Sequence, residues 1–183
     1  YREFGEMYSP AVGFSRRNGF KRLQPSFSYH PRPKRYEFIR QIEFGIGYEY
    51  MTDLNDKMLK KETTITPFNV RFESQDEIGI KLVNLVEYLD RPFTIYRDIT
   101  IPVKEYRSDE WQFKIETSER RMVSTEFEYQ TGDFWSGNKQ TFKTQLSIKP
   151  FSGFNVQTEY EKNQVSINGT SFRTELYHVE LGL

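Results

Sequence analysis

Period-two alternation of apolar and polar residues runs almost the whole length of this chain, and nothing else narrows its possible folds as much. From Phe38 to Tyr50 the even positions carry Phe38, Arg40, Ile42, Phe44, Ile46, Tyr48 and Tyr50. The odd positions carry Gln41, Glu43, Gly45, Gly47 and Glu49. Successive side chains of a strand point to opposite faces, whereas a helix would mix these two sets, so the segment reads as a strand.

The pattern recurs down the chain. Thr64, Thr66, Phe68, Val70 and Phe72 oppose Asn69, Arg71 and Glu73, and Ile78, Ile80, Leu82, Val86 and Tyr88 oppose Glu77, Gly79, Lys81 and Glu87. Trp111, Phe113 and Ile115 oppose Glu110, Gln112, Lys114 and Glu116; Val123, Thr125, Phe127 and Tyr129 oppose Ser124, Glu126, Glu128 and Gln130. Phe142, Thr144, Leu146 and Ile148 oppose Lys143, Gln145 and Ser147; Phe154, Val156, Thr158 and Tyr160 oppose Asn155, Gln157, Glu159 and Glu161. A last strand runs from Tyr177 to Leu183, and a weaker opening one from Phe20 to His30. The expected fold class is all-β: about nine up-and-down antiparallel strands of a transmembrane β-barrel. On this reading 1–19 is an extracellular loop and 20–183 are consecutive strands.

Composition agrees with half-buried strands. Aromatic residues make up 16% of the chain, yet its mean hydropathy is −0.75. No apolar run approaches the ~18 residues of a spanning helix; the longest candidate, Ile78 to Val86, is interrupted by Lys81 and Asn84. With 26 basic and 26 acidic residues, no basic face for nucleic acid is expected. Cysteine is absent, which removes disulfides and thiolate metal sites and suits passage through an oxidising periplasm.

Connections give a second signal. Short links are expected at 30–33, 74–76, 118–120 and 150–153, and long polar ones at 52–62, 90–106, 132–138 and 162–171. Outer-membrane barrels alternate short periplasmic turns with long extracellular loops. That parity runs the strand from Phe38 outward. It places Tyr48, Tyr50, Tyr88, Tyr129, Phe142 and Tyr160 toward the long-loop end and Phe38, Phe72 and Phe154 toward the short-turn end. These are the candidate aromatic girdles, where a ring buries its body and wets its tip. The chain opens on Tyr1 without a signal peptide, and the pattern is cut at Leu183. An odd strand count with such an end predicts part of a larger barrel. The competing fold is a soluble β-sandwich binding module, which explains the alternation equally well.

The polar face supplies the lumen candidates Glu43, Glu49, Arg71, Glu73, Lys81, Glu110, Lys114, Glu116, Glu126, Glu128, Lys143 and Glu159. They suggest either a mildly acidic porin-like lumen or charges that pair across strands. Glu126 and Glu128 share a face at ~7 Å by strand geometry. Period-two glutamate is too frequent here to mark them as a glycosidase pair, so no catalytic residue is assigned and the chain is not expected to be an enzyme. A membrane-associated hydrolase using acidic residues is the second alternative. His30 and His178 stand alone, without metal-ligand spacing. Asn168-Gly-Thr170 matches the glycosylation pattern, which carries no weight in a bacterial protein. No phosphate loop, dinucleotide fingerprint or nucleophile elbow occurs, and no cofactor is expected.

Two loops stand apart. Ser9 to Phe14 with Arg16 to Arg22 combines turn formers, rings and cations. Asp90 to Pro102 is long and carries several apolar residues, so it is expected to fold inward over the lumen, onto a partner, or on itself. These segments also carry a resemblance. Ser9-Pro-Ala-Val-Gly-Phe14, Asn18-Gly-Phe20, Tyr29-His-Pro-Arg-Pro33, Glu87 to Phe93, Ile101 to Arg107 and Tyr129 to Phe134 resemble a family of large Gram-negative outer-membrane proteins. In that family a carbohydrate-binding-like β-sandwich precedes a β-barrel of unknown function, and some members are labelled membrane-associated hydrolases. The resemblance implies a bacterial outer-membrane location, contact with lipid, and loops that meet a glycan, peptide or protein. It implies no catalytic residue.

Overall fold

In the computed structural model, which describes residues 1–5, 19–96, 99–151 and 153–182, the chain is all-β with no helix among those residues. Its strands are β1 (Arg2–Phe4), β2 (Phe20–Leu23), β3 (Ser26–Tyr29), β4 (Ile39–Asp53), β5 (Met58–Phe72), β6 (Glu77–Tyr88), β7 (Phe93–Tyr96), β8 (Ile99–Ile101), β9 (Glu105–Glu116), β10 (Val123–Phe134), β11 (Gly137–Phe151), β12 (Phe154–Ile167) and β13 (Thr170–Gly182). One antiparallel sheet runs in the order β1-β2-β4-β5-β6-β9-β10-β11-β12-β13, with β3 beside β2 on β4, while β7 and β8 form a separate hairpin. The large sheet is therefore an up-and-down meander. It is open, since β13 pairs with β12 alone and does not meet the opposite edge.

The weak opening strand exists, but Pro25 divides it into β2 and β3. A proline has no N–H to give the ladder; its carbonyl still accepts from the Tyr48 amide at 3.0 Å, which holds the two pieces on one edge. Within 1–19, Arg2–Phe4 pairs with β2 rather than looping free, and residues 6–18, with most of the Ser9–Arg22 segment, lie outside the described residues.

The expected loop parity is not met. The polar stretches at 52–62, 132–138 and 162–171 are mostly strand: β4 and β5 are joined by a turn at 54–57, β10 and β11 by Trp135-Ser136, and β11's partner β12 reaches β13 through Asn168-Gly169. Conversely, the link after β3 runs from His30 to Phe38. Polar composition reads as loop, but ladder hydrogen bonds do not require apolar side chains, so the strands continue past their greasy middles. Asn168 and Gly169 both have positive φ (51° and 77°), the conformation a two-residue hairpin needs. Strands of 12 to 15 residues result, beyond the ~9–11 that cross a bilayer.

One face assignment changes. Thr64 and Thr66 pair with Gly47 and Gly45 on the polar face, and Ile65 takes the apolar side opposite Ile46 and Leu82. A bulge between Ile65 and Phe68 inserts an extra residue and resets the parity. Pro67 sits in that bulge and Pro150 in another, between Ile148 and Phe151, where a missing N–H costs no ladder bond.

The connection at 90–104 is the elaborate one. Its hairpin β7–β8 closes at the base through Leu89 N–H to Lys104 C=O (3.0 Å). It folds back so that Ile101, fully buried, packs with Tyr106, Val165 and Ile167, flanked by Leu89, Ile95, Phe134, Trp135 and Phe172. Tyr106 and Val165 belong to the polar face's parity, so the hairpin packs on the chain's own sheet and covers the far end of that face. Trp135 has φ +55°, a strained conformation for a bulky residue. Edge contacts to Tyr106 (4.9 Å between centroids) and Phe93 (5.3 Å) hold it there. A Cβ at Gly132 would enter the backbone of Asp109, and one at Gly137 that of Ser166, so glycine permits the tight coiling beneath the cluster.

Candidate functional site

Register places nearly all the polar candidates on one face. Glu43, Asn69, Gly79, Lys114, Glu128, Lys143 and Glu161 form one cross-strand row. Arg71, Glu77, Glu116, Glu126, Gln145 and Glu159 form the next, nearer the β5–β6 turn. Lys81 pairs across with Gln112 and Glu110 with Val83, on the same side, as is Glu49 opposite Glu62. Glu73 alone falls elsewhere: it lies in the β5–β6 turn, beyond the strand, with its amide on the Phe38 carbonyl.

Their charges are largely satisfied by one another. Lys114 Nζ reaches Glu116 (2.8 Å) and Glu126 (3.1 Å), Lys143 reaches Glu159 (2.9 Å), and Arg71 reaches Glu77 (2.7 Å). Glu49 accepts from Arg22 at 2.8 Å and Gln24 at 2.7 Å, with Lys60 at 3.5 Å. Amides complete the face: Asn69 donates to Glu77 (3.0 Å) and Asn163 to Glu161 (2.6 Å). With Lys114 shared between Glu116 and Glu126, the Glu126–Glu128 pair is embedded in an ion-pair cluster rather than set apart for acid–base work. Between Thr66, Asn69, Lys81, Gln112 and Gln130 the face holds a depression of about 130 Å³, opened by Gly79, where a Cβ would press on Asn69. No three metal-binding side chains converge among the described residues; His30 sits 3.7 Å from Glu43.

The opposite face is apolar and bare. Ile46 is 49% exposed and Trp111 45%, and Phe44, Phe68, Ile78, Ile115, Leu146, Val179 and Leu181 are exposed beside them. Among the described residues no second sheet packs on this face, so a sandwich core is not formed. Its upper border, toward the β7–β8 end, is a staircase of rings, and on each of these strands the uppermost ring is the last apolar residue before polar ones. The steps are Tyr48 and Tyr50 on β4, Tyr88 on β6, Trp111 on β9, Tyr129 on β10, Phe142 on β11, Tyr160 on β12 and Tyr177 on β13. In hydrogen-bond register the border falls from Tyr88 on β6, opposite Glu105, through Trp111 on β9, opposite Leu82, and the paired Tyr129 and Phe142, to the paired Tyr160 and Tyr177. Tyr160 lies in the row of Thr144, Phe127, Ile115, Ile78, Val70 and Ile42, well below Tyr50. Phe38 and Phe72 stack at 6.4 Å at the other border, as do Phe151 and Phe154 at 5.3 Å. Trp111 and Tyr177 were missed as border rings. The signal that would have found them is the polar residue next on the same face, Asp109 and Glu175.

At the turn end, Asp76 ties two hairpins. It accepts from the Ser74 hydroxyl (2.7 Å), the Ser118 amide (2.9 Å) and Arg121 (2.6 Å). The Ser74 hydroxyl foremost, then the Ser118 amide and the Arg121 charge, hold its carboxyl below the ordinary aspartate range. A depressed folded pKa contributes stability that is present above the unfolded value of ~3.9 and lost as pH falls through the lower folded value. The Ser118 amide resonance is therefore expected to titrate with a midpoint below ~3.9 and to lose that transition in Asp76→Asn; a midpoint at the ordinary value would show the tie to be absent.

Compared with protein-family models, with curated proteins and with solved structures, the chain matches none.

Proposed function

We propose that this chain is a stretch of bacterial outer-membrane β-barrel wall, with the apolar face on lipid and the polar face lining the interior. The observation that carries the reading is the bare apolar belt with its ring staircase. Strands of a barrel tilt by ~35–45°, so a belt held at constant depth must slip through the hydrogen-bond rows from strand to strand. The belt of this sheet does so, and a covered soluble core has no need to. Ring placement points the same way. In lipid an unpaired strand edge is costly, so in the assembled wall the edges at β13 and at β1–β3 are paired with further strands. The resemblance in the loop segments fits the same location.

Within that wall the protein serves as a porin-like channel or as a membrane anchor and scaffold, with its loops meeting a glycan, peptide or protein outside. Mutual pairing of the charges and the β7–β8 hairpin over one end of the polar face favour the anchor. Tryptophan fluorescence in vesicles of brominated phosphatidylcholine tests the location. Trp111 is on the belt and Trp135 on the interior side, so strong quenching that Trp111→Phe removes is expected. Unquenched Trp111 in protein that has refolded with vesicles present would overturn the membrane reading.

A further inference from the structure

On the apolar face, at the staircase across β10–β12, lies a cavity of about 340 Å³ lined by Tyr129, Phe142, Tyr160, Gln140, Lys162 and Gln164. Its chemistry is divided by depth. Phe142 packs on Tyr160 at 6.2 Å, and with Tyr129 these rings form an apolar floor. Above the floor stand Lys162, directly across from Phe142, and the amides of Gln140 and Gln164, which face each other in register.

Lys162 is half-buried, and its ammonium has no ion-pair or hydrogen-bond partner among the described residues. The carboxylate opposite it on β13, Glu175, is turned to Arg173 (3.1 Å) and to the Tyr177 hydroxyl (3.1 Å) instead. An unpaired cation and two amide donors at the rim of an aromatic trough ask for an oxyanion with an apolar body beneath it.

Resting on the membrane reading above, we propose that this cavity seats the phosphate-bearing headgroup of an anionic lipid. Lys162 Nζ and the side-chain amides of Gln140 and Gln164 donate to the phosphate oxygens, while the glycerol and upper acyl carbons lie on Tyr129, Phe142 and Tyr160. Depth favours this occupant over a soluble anion. The rings mark where the hydrocarbon ends, and a lysine one step beyond that line meets headgroups with its stem along the apolar surface.

The test is native mass spectrometry of the full chain, extracted in neutral detergent from vesicles of equimolar phosphatidylglycerol and phosphatidylcholine. Wild type should retain phosphatidylglycerol in preference. Lys162→Gln should cut that preference about tenfold, the loss expected for one charge-assisted hydrogen bond, whereas Lys162→Arg should keep it. Lys61→Gln removes an equal charge from the same face, on β5 beside Tyr50, and should leave the preference unchanged. Equal retention of the two lipids by wild type, or an unaltered preference in Lys162→Gln, would overturn the proposal. Complete displacement by inorganic phosphate would do the same, since it would reveal an anion site with no lipid component. Trp111 quenching in the same vesicles prepared with brominated phosphatidylcholine separates the two levels: quenching without a Lys162 effect removes only the lipid site, and absence of quenching removes the membrane reading beneath it.

Discussion

Phe113→Arg is expected to cost ~2–4 kcal/mol of folding free energy in vesicles, while Gln112→Arg, one residue away, should cost little. Phe113 lies mid-belt between Ile80 and Tyr129, and Gln112 lies on the opposite face between Lys81 and Gln130. A charge at the middle of the hydrocarbon has neither water nor a counter-ion, and the penalty fades toward the interface. Tyr50→Arg, at the staircase on β4, should accordingly cost only ~0–1 kcal/mol. Urea titration of vesicle-bound protein, followed by its tryptophan emission, measures all three. Equal penalties at Phe113 and Tyr50 would contradict the depth dependence and with it the lipid contact.

The second large effect concerns the hairpin. Ile101→Ala should destabilise the docked β7–β8 hairpin by ~2–5 kcal/mol, because the fully buried side chain leaves a cavity among Tyr106, Val165 and Ile167. Ladder hydrogen bonds of the large sheet do not pass through this contact, so the outcome is local opening rather than global unfolding. Exposed Lys104 flanks the hairpin, and tryptic cleavage after it should accelerate more than tenfold. Planar-bilayer recording of the same variant reads the other side of the proposal. If the hairpin covers one end of the interior, the variant should conduct more than wild type; identical cleavage rates in the two proteins would mean that the hairpin was never docked.

Much of this architecture was legible in the sequence, for a reason specific to strands. A face is encoded residue by residue, so Phe44, Ile46 and Glu43 declare their sides wherever the strand sits. What periodicity does not encode is where a strand stops once its side chains become polar. Lys139, Asn163 and Thr174 carry no strand signal of their own, yet each holds a ladder position. Bulges are equally silent: only the register reveals that the one at Pro67 moves Thr64 and Thr66 to the polar side. The ring border was legible in part. Tyr160 could be assigned to it from its strand, but the slip of the border from β4 to β13 emerges only when strands are laid side by side. The Lys162 cavity is drawn from three strands, and no single segment announces it.

The buried cluster beneath the hairpin also bears on the order in which the molecule assembles. Every pairing in the large sheet joins strands adjacent along the chain or separated only by β3 or by that hairpin, so strands can add one after another with short loop closures. Ile101 is different, because its partners Val165 and Ile167 belong to β12 and do not exist as a surface until β10, β11 and β12 are in place. The cluster is then a late contact, formed after most of the sheet. Late contacts leave folding rates nearly unchanged and slow unfolding instead. The hairpin thus works as a latch in time as well as in space, closing over a wall already built and lengthening the life of what it closes.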